Sequence, residues 1–372
     1  MTRMHTRITD QPHTRTTTYR RSAIIGTMTE RCPYCSGTNI IRKGKREKKL
    51  ETVQLWHCRD CVCVFTPQLA KGKTYPLKAI LAGLSLYYSG RTTAQTTKLL
   101  KERYGLTLNP RTLGTWLTEY KPLTTYNRLR EQGSKRFTSY QLIRSVRLHH
   151  QQVYMFRTHR AKLDLLLTTP EHRAFLPIAE YLTDVAEDCP HHLFQGEHRA
   201  SAGKAAFNLD SVEIKERQNL APRIASLVLQ AVTHNKRRHD ELQRFMLTND
   251  SVTVAVEVPI YLTPEDLAHL KDELGFDIPI AADTTLTGHI DLLQIRNGAI
   301  HILDYKPHAA REKPIAQLMV YALALSRRTG LRLYDFTCAW FDEHHYFEFF
   351  PLHVVHKLGH SRPSRHQYGQ NM

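Results

Sequence analysis

Apolar and polar positions alternate clearly enough in the C-terminal third of the chain to divide it into elements. "APRIASLVLQAVTHNKRRHDELQRFML" (221–247) carries apolar residues at helical spacing and reads as a long helical stretch. "SVTVAVEVPIYL" (251–262) is β-branched and apolar, hence a strand. "HIDLLQI" and "AIHILDY" are two more strands, turned at Arg296-Asn297-Gly298, where Asn-Gly suits a tight hairpin. "PIAQLMVYALALSRR" (314–328) is apolar nearly all round, so it predicts a buried helix. "LYDFTCAWFD" and "YFEFFPL" add two strands. The resulting order, α-β-β-β-α-β-β, is an α/β sheet layer with a helix packed against it.

Further forward, Leu77, Ile80, Leu81, Leu84 and Tyr88 form one helical stripe that stops at Ser89-Gly90. "TTAQ" (92–95) predicts a capping box opening a second helix, which ends at Gly105. Asn109 and Pro110 open a third, with Leu113, Trp116, Leu117 and Tyr120 on its core face. Its opposite face presents Arg111, Thr112 and Thr115, and a tight helix pair of this kind suits a DNA groove. Residues 122–219 say less. "SYQLIRSVRLHHQQVYMF" (139–156) and "RAFLPIAEYLTDVAE" (173–187) read as helical, and "CPHHLFQGEHRASAGK" as loop. His149, His150, His191, His192 and His198 show no metal-binding spacing, and most read as exposed, solvated histidines.

Charge changes this picture by dividing the chain. Residues 1–131 hold 24 Lys and Arg against 8 Asp and Glu, a net of +16 out of +17 for all 372 residues. A basic front end points to a polyanionic partner, nucleic acid first. No apolar run is long enough for a membrane span. The length predicts several domains: a disordered basic arm (1–30), a zinc ribbon (31–70), a helix-turn-helix (74–121), a connecting region (122–219), an α/β domain (220–351) and a flexible tail (352–372). Met28 is an alternative start of translation.

Cysteines supply the next chemistry. "CPYC" and "CRDC" offer Cys32, Cys35, Cys58 and Cys61, two close pairs that together complete a closed tetrahedral zinc site. His57 and Cys63 are alternative ligands beside it. The intervening "RKGKREKK" reads as a basic loop, so Lys45 and Arg46 are candidate DNA contacts. Residues 31–121 as a whole resemble the N-terminal DNA-binding half of insertion-sequence transposases.

The hairpin raises the sharper question. Asp291 and Asp304 interrupt two apolar strands at similar distances from the turn, so the pairing brings them together. Lys306 shares the face of Asp304 because strand side chains alternate. Two close carboxylates repel unless a cation lies between them. Two acids and a lysine on one face therefore suit a hard divalent ion and an activated water.

"GHID", a hairpin, "DYK", and a helix carrying "QLMVY" resemble the PD-(D/E)XK nucleases, and most closely their RecB-like branch. The resemblance covers roughly residues 220–350. It implies a restriction-endonuclease-like αβββαβ core in which Asp291, Asp304 and the Tyr305 carbonyl ligate Mg²⁺ or Mn²⁺. Lys306 would orient or deprotonate the attacking water, while Gln317 and Tyr321 would position the DNA strand and Lys306. The family's metal-binding histidine falls on His239, with His234 as the alternative. Glu257 reads as a strand-edge carboxylate. Many RecB-like members hold an iron–sulfur cluster with three cysteines after the core; only Cys338 follows Tyr321 here, so none is expected.

These readings converge on a metal-dependent deoxyribonuclease targeted to DNA by its front end, associated with mobile elements or defence and acting in a prokaryotic, nucleoid-associated cytoplasm. The alternative is a DNA-binding regulator or transposition accessory factor with an inactive nuclease fold.

Overall fold

The computed structural model describes residues 31–32, 34–47, 52–66, 75–196, 199–200, 212–232, 234–274, 278 and 284–355. The expected basic arm, His198 and most of the expected tail lie outside these residues.

At the front, β1 (Ile40–Glu47), β2 (Thr52–Cys58) and β3 (Val64–Phe65) form an antiparallel three-stranded sheet. Residues 42–47 of the basic run are thus strand rather than loop. Val53, Trp56 and Cys58 of β2 are buried, and β1 covers that strand while presenting Lys45 and Arg46 to solvent. Strand pairing satisfies the backbone whatever the side chains are, so a polar edge strand has no hydropathy signal. Trp56 and Phe65 pack with Cys32 and Cys58 as a small core.

Three helices follow, α1 (Leu77–Tyr88), α2 (Thr93–Tyr104) and α3 (Pro110–Glu119). Thr92 and Gln95 make the reciprocal capping box, Gly105 ends α2 in the left-handed conformation, and Asn109 accepts from Arg111 N–H. These local signals determine the helix ends because they need no tertiary partner.

The short helix α4 (Arg130–Arg136) leads to a feature the hydropathy reading misjudges. Residues 139–156 are not helical: β4 (Ile143–His150) and β5 (Gln152–His159) form a hairpin about Gln151, whose φ is 59°. Burial along 145–150 alternates, with Leu148 and His150 inward, which is a period of two rather than 3.6. After α5 (Arg160–Leu167) and α6 (Leu176–Glu187), β6 (Lys215–Glu216) adds a third strand from the region expected to be helix and loop. The long helix is broken into α7 (Leu220–Leu229) and α8 (Arg238–Asn249), with His234 extended at the break. Residues 234–237 are His-Asn-Lys-Arg, with no apolar side chain to anchor a helix across the break.

Then come β7 (Thr253–Leu262), α9 (Pro264–Leu274), β8 (Leu286–Arg296), β9 (Ala299–Tyr305), α10 (Ile315–Thr329), β10 (Phe336–Phe341), β11 (Tyr346–Phe349) and α11 (Pro351–Val355). Helix α9 is absent from the hydropathy reading, although "TPED" is a cap signal: Thr263 and Asp266 bond each other's backbone N–H.

The strands form one mixed sheet in the order β4-β5-β7-β8-β9-β10-β11-β6, parallel only between β9 and β10. Helices α6 and α10 bury one apolar cluster against it. The other cluster joins α7 and α8 to Leu292, Leu303 and Tyr305, and continues into α1 and α3. Asn249 of α8 donates to Ser85 of α1 at 3.0 Å, so the front helices are packed onto the sheet domain.

Candidate active site

The β8–β9 hairpin pairs Arg296 with Ala299 across Asn297 and Gly298, both with positive φ, and continues to Leu292 opposite Leu303. One step further along the same register, Asp291 faces Asp304. On the other side of β8, Val256 pairs with Leu292 and Val258 with Ile290, so Glu257 lies beside Asp291. Three neighbouring strands thus align three carboxylates, one more than the hairpin alone suggests. Glu257, read from sequence as a strand-edge acid, lines the same cavity as Asp291, Asp304 and Lys306. Its signal was a single acid in an otherwise apolar central strand. Its φ of 52° marks a local distortion of β7, and Gln243 of α8 donates to it at 2.8 Å.

Lys306 Nζ lies 2.7 Å from Asp304 Oδ2. That oxygen is buried, and although the ammonium is within ion-pairing distance, no hydrogen bond of proper geometry reaches it. His239 Nε2 lies 3.0 Å from the Tyr305 carbonyl and 3.9 Å from Asp291 Oδ2. The two histidine candidates separate here: His234 is exposed and lines a different cavity, between α1 and α8. Arg238 donates to Tyr305 Oη at 2.8 Å and pairs with Glu343, which anchors the ring beneath the carbonyl.

Helix α10 closes the site. Gln317 donates to Tyr321 Oη at 2.8 Å, one helical turn apart, and both side chains line the cavity of about 230 Å³. Gly288 lets the ring in: a Cβ there would meet Tyr321 Cε1 at 2.5 Å. The remaining wall includes His289 of β8 together with His150, Tyr154 and Arg199, the last three from a region the sequence left without chemistry. His150 is buried rather than solvated, and its two ring nitrogens lie 2.9 Å from His289 and from His191.

Burial dominates the electrostatics. It pushes the Asp304 acid up to about 8, with the Asp291 carboxylate adding to the shift. Burial and then Glu257 push Asp291 up to about 6. Glu257 itself rises to about 7 through burial, against the Gln243 hydrogen bond. Burial also disfavours charge on Lys306, but Asp304 outweighs it and holds the ammonium above its ordinary value. Three acids raised by burial and by one another, beyond what the Lys306 ammonium offsets, are the environment that a divalent cation relieves.

The donors fit a hard divalent ion. Ligands about 2.1 Å from an octahedral ion lie about 3.0 Å from their neighbours. The spacing of His239 Nε2 from the Tyr305 carbonyl matches such an edge. Asp304 Oδ2, paired with the Lys306 ammonium at 2.7 Å, offers a further oxygen donor. Such an ion supplies charge neutralisation and an acidified water.

In the front sheet, Cys32 Sγ lies 3.6 Å from Cys61 Sγ and Cys35 Sγ 3.5 Å from Cys58 Sγ, all four thiols converging. A zinc ion about 2.3 Å from each sulfur needs separations of about 3.8 Å, so the cluster is compatible with zinc. His57 and Cys63 are not part of it. Arg111 and Thr115 on α3 are exposed and Thr112 half-buried, as are Lys45 and Arg46 exposed on β1; none lines the acidic cavity.

Residues 172–345 match the family model of the PD-(D/E)XK nuclease superfamily, beginning well before the sheet domain expected from residue 220. No curated protein and no solved structure matches the chain. Among the described residues no helix is long and apolar enough to cross a membrane.

Proposed function

We propose that the chain is a divalent-metal-dependent deoxyribonuclease that hydrolyses phosphodiester bonds and is brought to DNA by its basic front end. The observation that carries this reading is the convergence of Asp291, Asp304, His239 and the Tyr305 carbonyl beside Lys306, within the segment that matches a nuclease superfamily.

Asp291, Asp304, the Tyr305 carbonyl and His239 hold Mg²⁺ or Mn²⁺. Lys306, kept cationic by Asp304, orients the attacking water and faces the charge that develops on the phosphate. Gln317 and Tyr321, coupled to each other, position the strand. Glu257, beside Asp291 on the neighbouring strand, adds a third carboxylate whose charge attracts a dication about twice as strongly as a proton. The sheet domain carries little net charge of its own, so the field that gathers DNA resides in the front end. The four-cysteine ribbon presents Lys45 and Arg46 to phosphates, and α3 presents Arg111, Thr112 and Thr115. Lys78, Arg103, Arg237 and Arg244 line a cavity of about 470 Å³ between the front helices and the sheet domain, adding to the basic surface.

Linear, circular and single-stranded DNA incubated with Mg²⁺ or Mn²⁺ test the reading. Cleavage is expected with metal and lost in Lys306→Ala. Cleavage that survives this substitution overturns the mechanism. Binding without cleavage of any substrate favours a DNA-binding factor with an inactive nuclease fold.

A further inference from the structure

Behind His150, which lines the pocket, lies a second set of donors that the hydrolytic site does not use. His150 closes β4 at the hairpin turn, and Cys189 and His191 lie in the loop after α6. His150 Nε2 is 2.9 Å from His191 Nδ1 and 3.8 Å from Cys189 Sγ, and the three atoms all lie within 4.8 Å of one another. We propose that these three side chains form a further metal site, taking Zn²⁺ and tying the β4–β5 turn to the loop after α6.

The spacing suits this ion. A tetrahedral zinc about 2.0 Å from imidazole nitrogen and about 2.3 Å from sulfur sets its ligands about 3.3–3.6 Å apart. The observed separations straddle these values, so small side-chain rotations suffice. The surroundings also suit it. His150 and Cys189 are buried, at 1% and 8% exposure, whereas His191 reaches the surface and offers an entry path. The other nitrogen of His150, Nδ1, is 2.9 Å from His289 Nε2. A metal-bound histidine characteristically donates that second N–H to a fixed acceptor. His289 stacks on Tyr154 with centroids 3.6 Å apart and belongs to β8, two residues before Asp291. The ion therefore braces the wall of the pocket without entering the carboxylate site.

The competing arrangement is a row of neutral imidazoles bonded to one another. It accounts for the two 2.9 Å contacts, and the Cys189 thiol joins it as a weak donor to His150 Nε2 at 3.8 Å; the zinc reading differs in directing three lone pairs at one point. Ligand softness separates the two sites. Thiolate and imidazole select zinc, whereas carboxylate and carbonyl oxygens select magnesium or manganese. On binding, the Cys189 thiol proton passes to solvent and two neutral imidazoles give their lone pairs. The set leaves one tetrahedral position for water.

Zinc content of the purified full-length chain tests this directly. His191→Ala changes an exposed side chain and leaves the buried packing in place; Cys189→Ser is the second variant. Each is expected to hold one zinc fewer per chain than the parent, with the four-cysteine complement retained. Cobalt loading gives a second readout. The parent-minus-His191→Ala difference spectrum is expected to show tetrahedral bands with charge transfer from a single thiolate. Equal zinc content in parent and both variants, or a featureless difference spectrum, overturns the site. Neither readout depends on DNA cleavage, so failure here leaves the hydrolytic reading standing.

Discussion

Replacing Gly288 by alanine probes how closely the hairpin and α10 are fitted. The added Cβ would lie 2.5 Å from Tyr321 Cε1 and 3.3 Å from both Tyr321 Cζ and Ile260 Cδ1. Carbon atoms rest about 3.5 Å or more apart, so ring or strand must yield by about 1 Å. Tyr321 cannot swing aside freely, because it is 4% exposed and its hydroxyl accepts from Gln317 at 2.8 Å. Overpacking of this kind costs about 1–3 kcal/mol. Misplacement of a positioning group by about 1 Å costs on the order of 100-fold in rate. Thermal or urea denaturation and metal-dependent DNA cleavage are the two assays, run on Gly288→Ala, Tyr321→Ala and the double variant. The double variant is expected to be more stable than the sum of the single losses by about 1–3 kcal/mol, since removing the ring removes the clash. Its cleavage rate is expected to stay low. Strict additivity, or parental stability and activity in Gly288→Ala, would refute the argument that this glycine exists to admit the tyrosine.

Three further outcomes follow from the same geometry. The folded-state acidities of Asp291, Glu257 and Asp304, about 6, 7 and 8, are all raised. Their stabilising contribution is therefore present below the ordinary carboxylate range and lost as pH rises from about 4 to about 8. Melting of the metal-free protein should fall across that window, and saturating Mg²⁺ should flatten the slope; a flat metal-free profile contradicts the clustered acids. Cys58→Ser should leave one thiol of the ribbon tetrahedron missing, release zinc and weaken DNA binding, while cleavage of saturating DNA persists; retained zinc counts against the four-cysteine site. Lys45→Ala and Arg46→Ala should each lessen the salt dependence of DNA affinity, by about 0.9 in log–log slope per lost phosphate contact. Unchanged slopes in titrations from low to high salt exclude these two residues.

Legibility in the sequence followed the range of the interaction. Helix ends were readable because Thr92, Gln95, Gly105 and Asn109 act on their own backbone neighbours. The hairpin register was readable because Asn297-Gly298 permits one tight turn, and that turn alone aligns Asp291 with Asp304. The four cysteines declared their site through two short spacings. Residues 139–156 were misjudged because a mixed pattern of arginine, histidine and apolar residues becomes a strand pair only when a sheet edge exists to receive it. Glu257 was undervalued because its partners are on β8 and β9, strands that the chain reaches only after α9.

The strands of the C-terminal third, the basic front, the ribbon thiols and the pairing of the hairpin acids were thus determined by sequence alone, since each rests on composition, a short spacing or one hairpin. Tertiary structure set His239 against the Tyr305 carbonyl and His234 in a different cavity, brought the third carboxylate alongside, and gathered His150, Cys189 and His191 from separate elements. Such choices rest on distances of a few ångströms between segments far apart in the chain. Only packing of the helices against both faces of the sheet sets those distances.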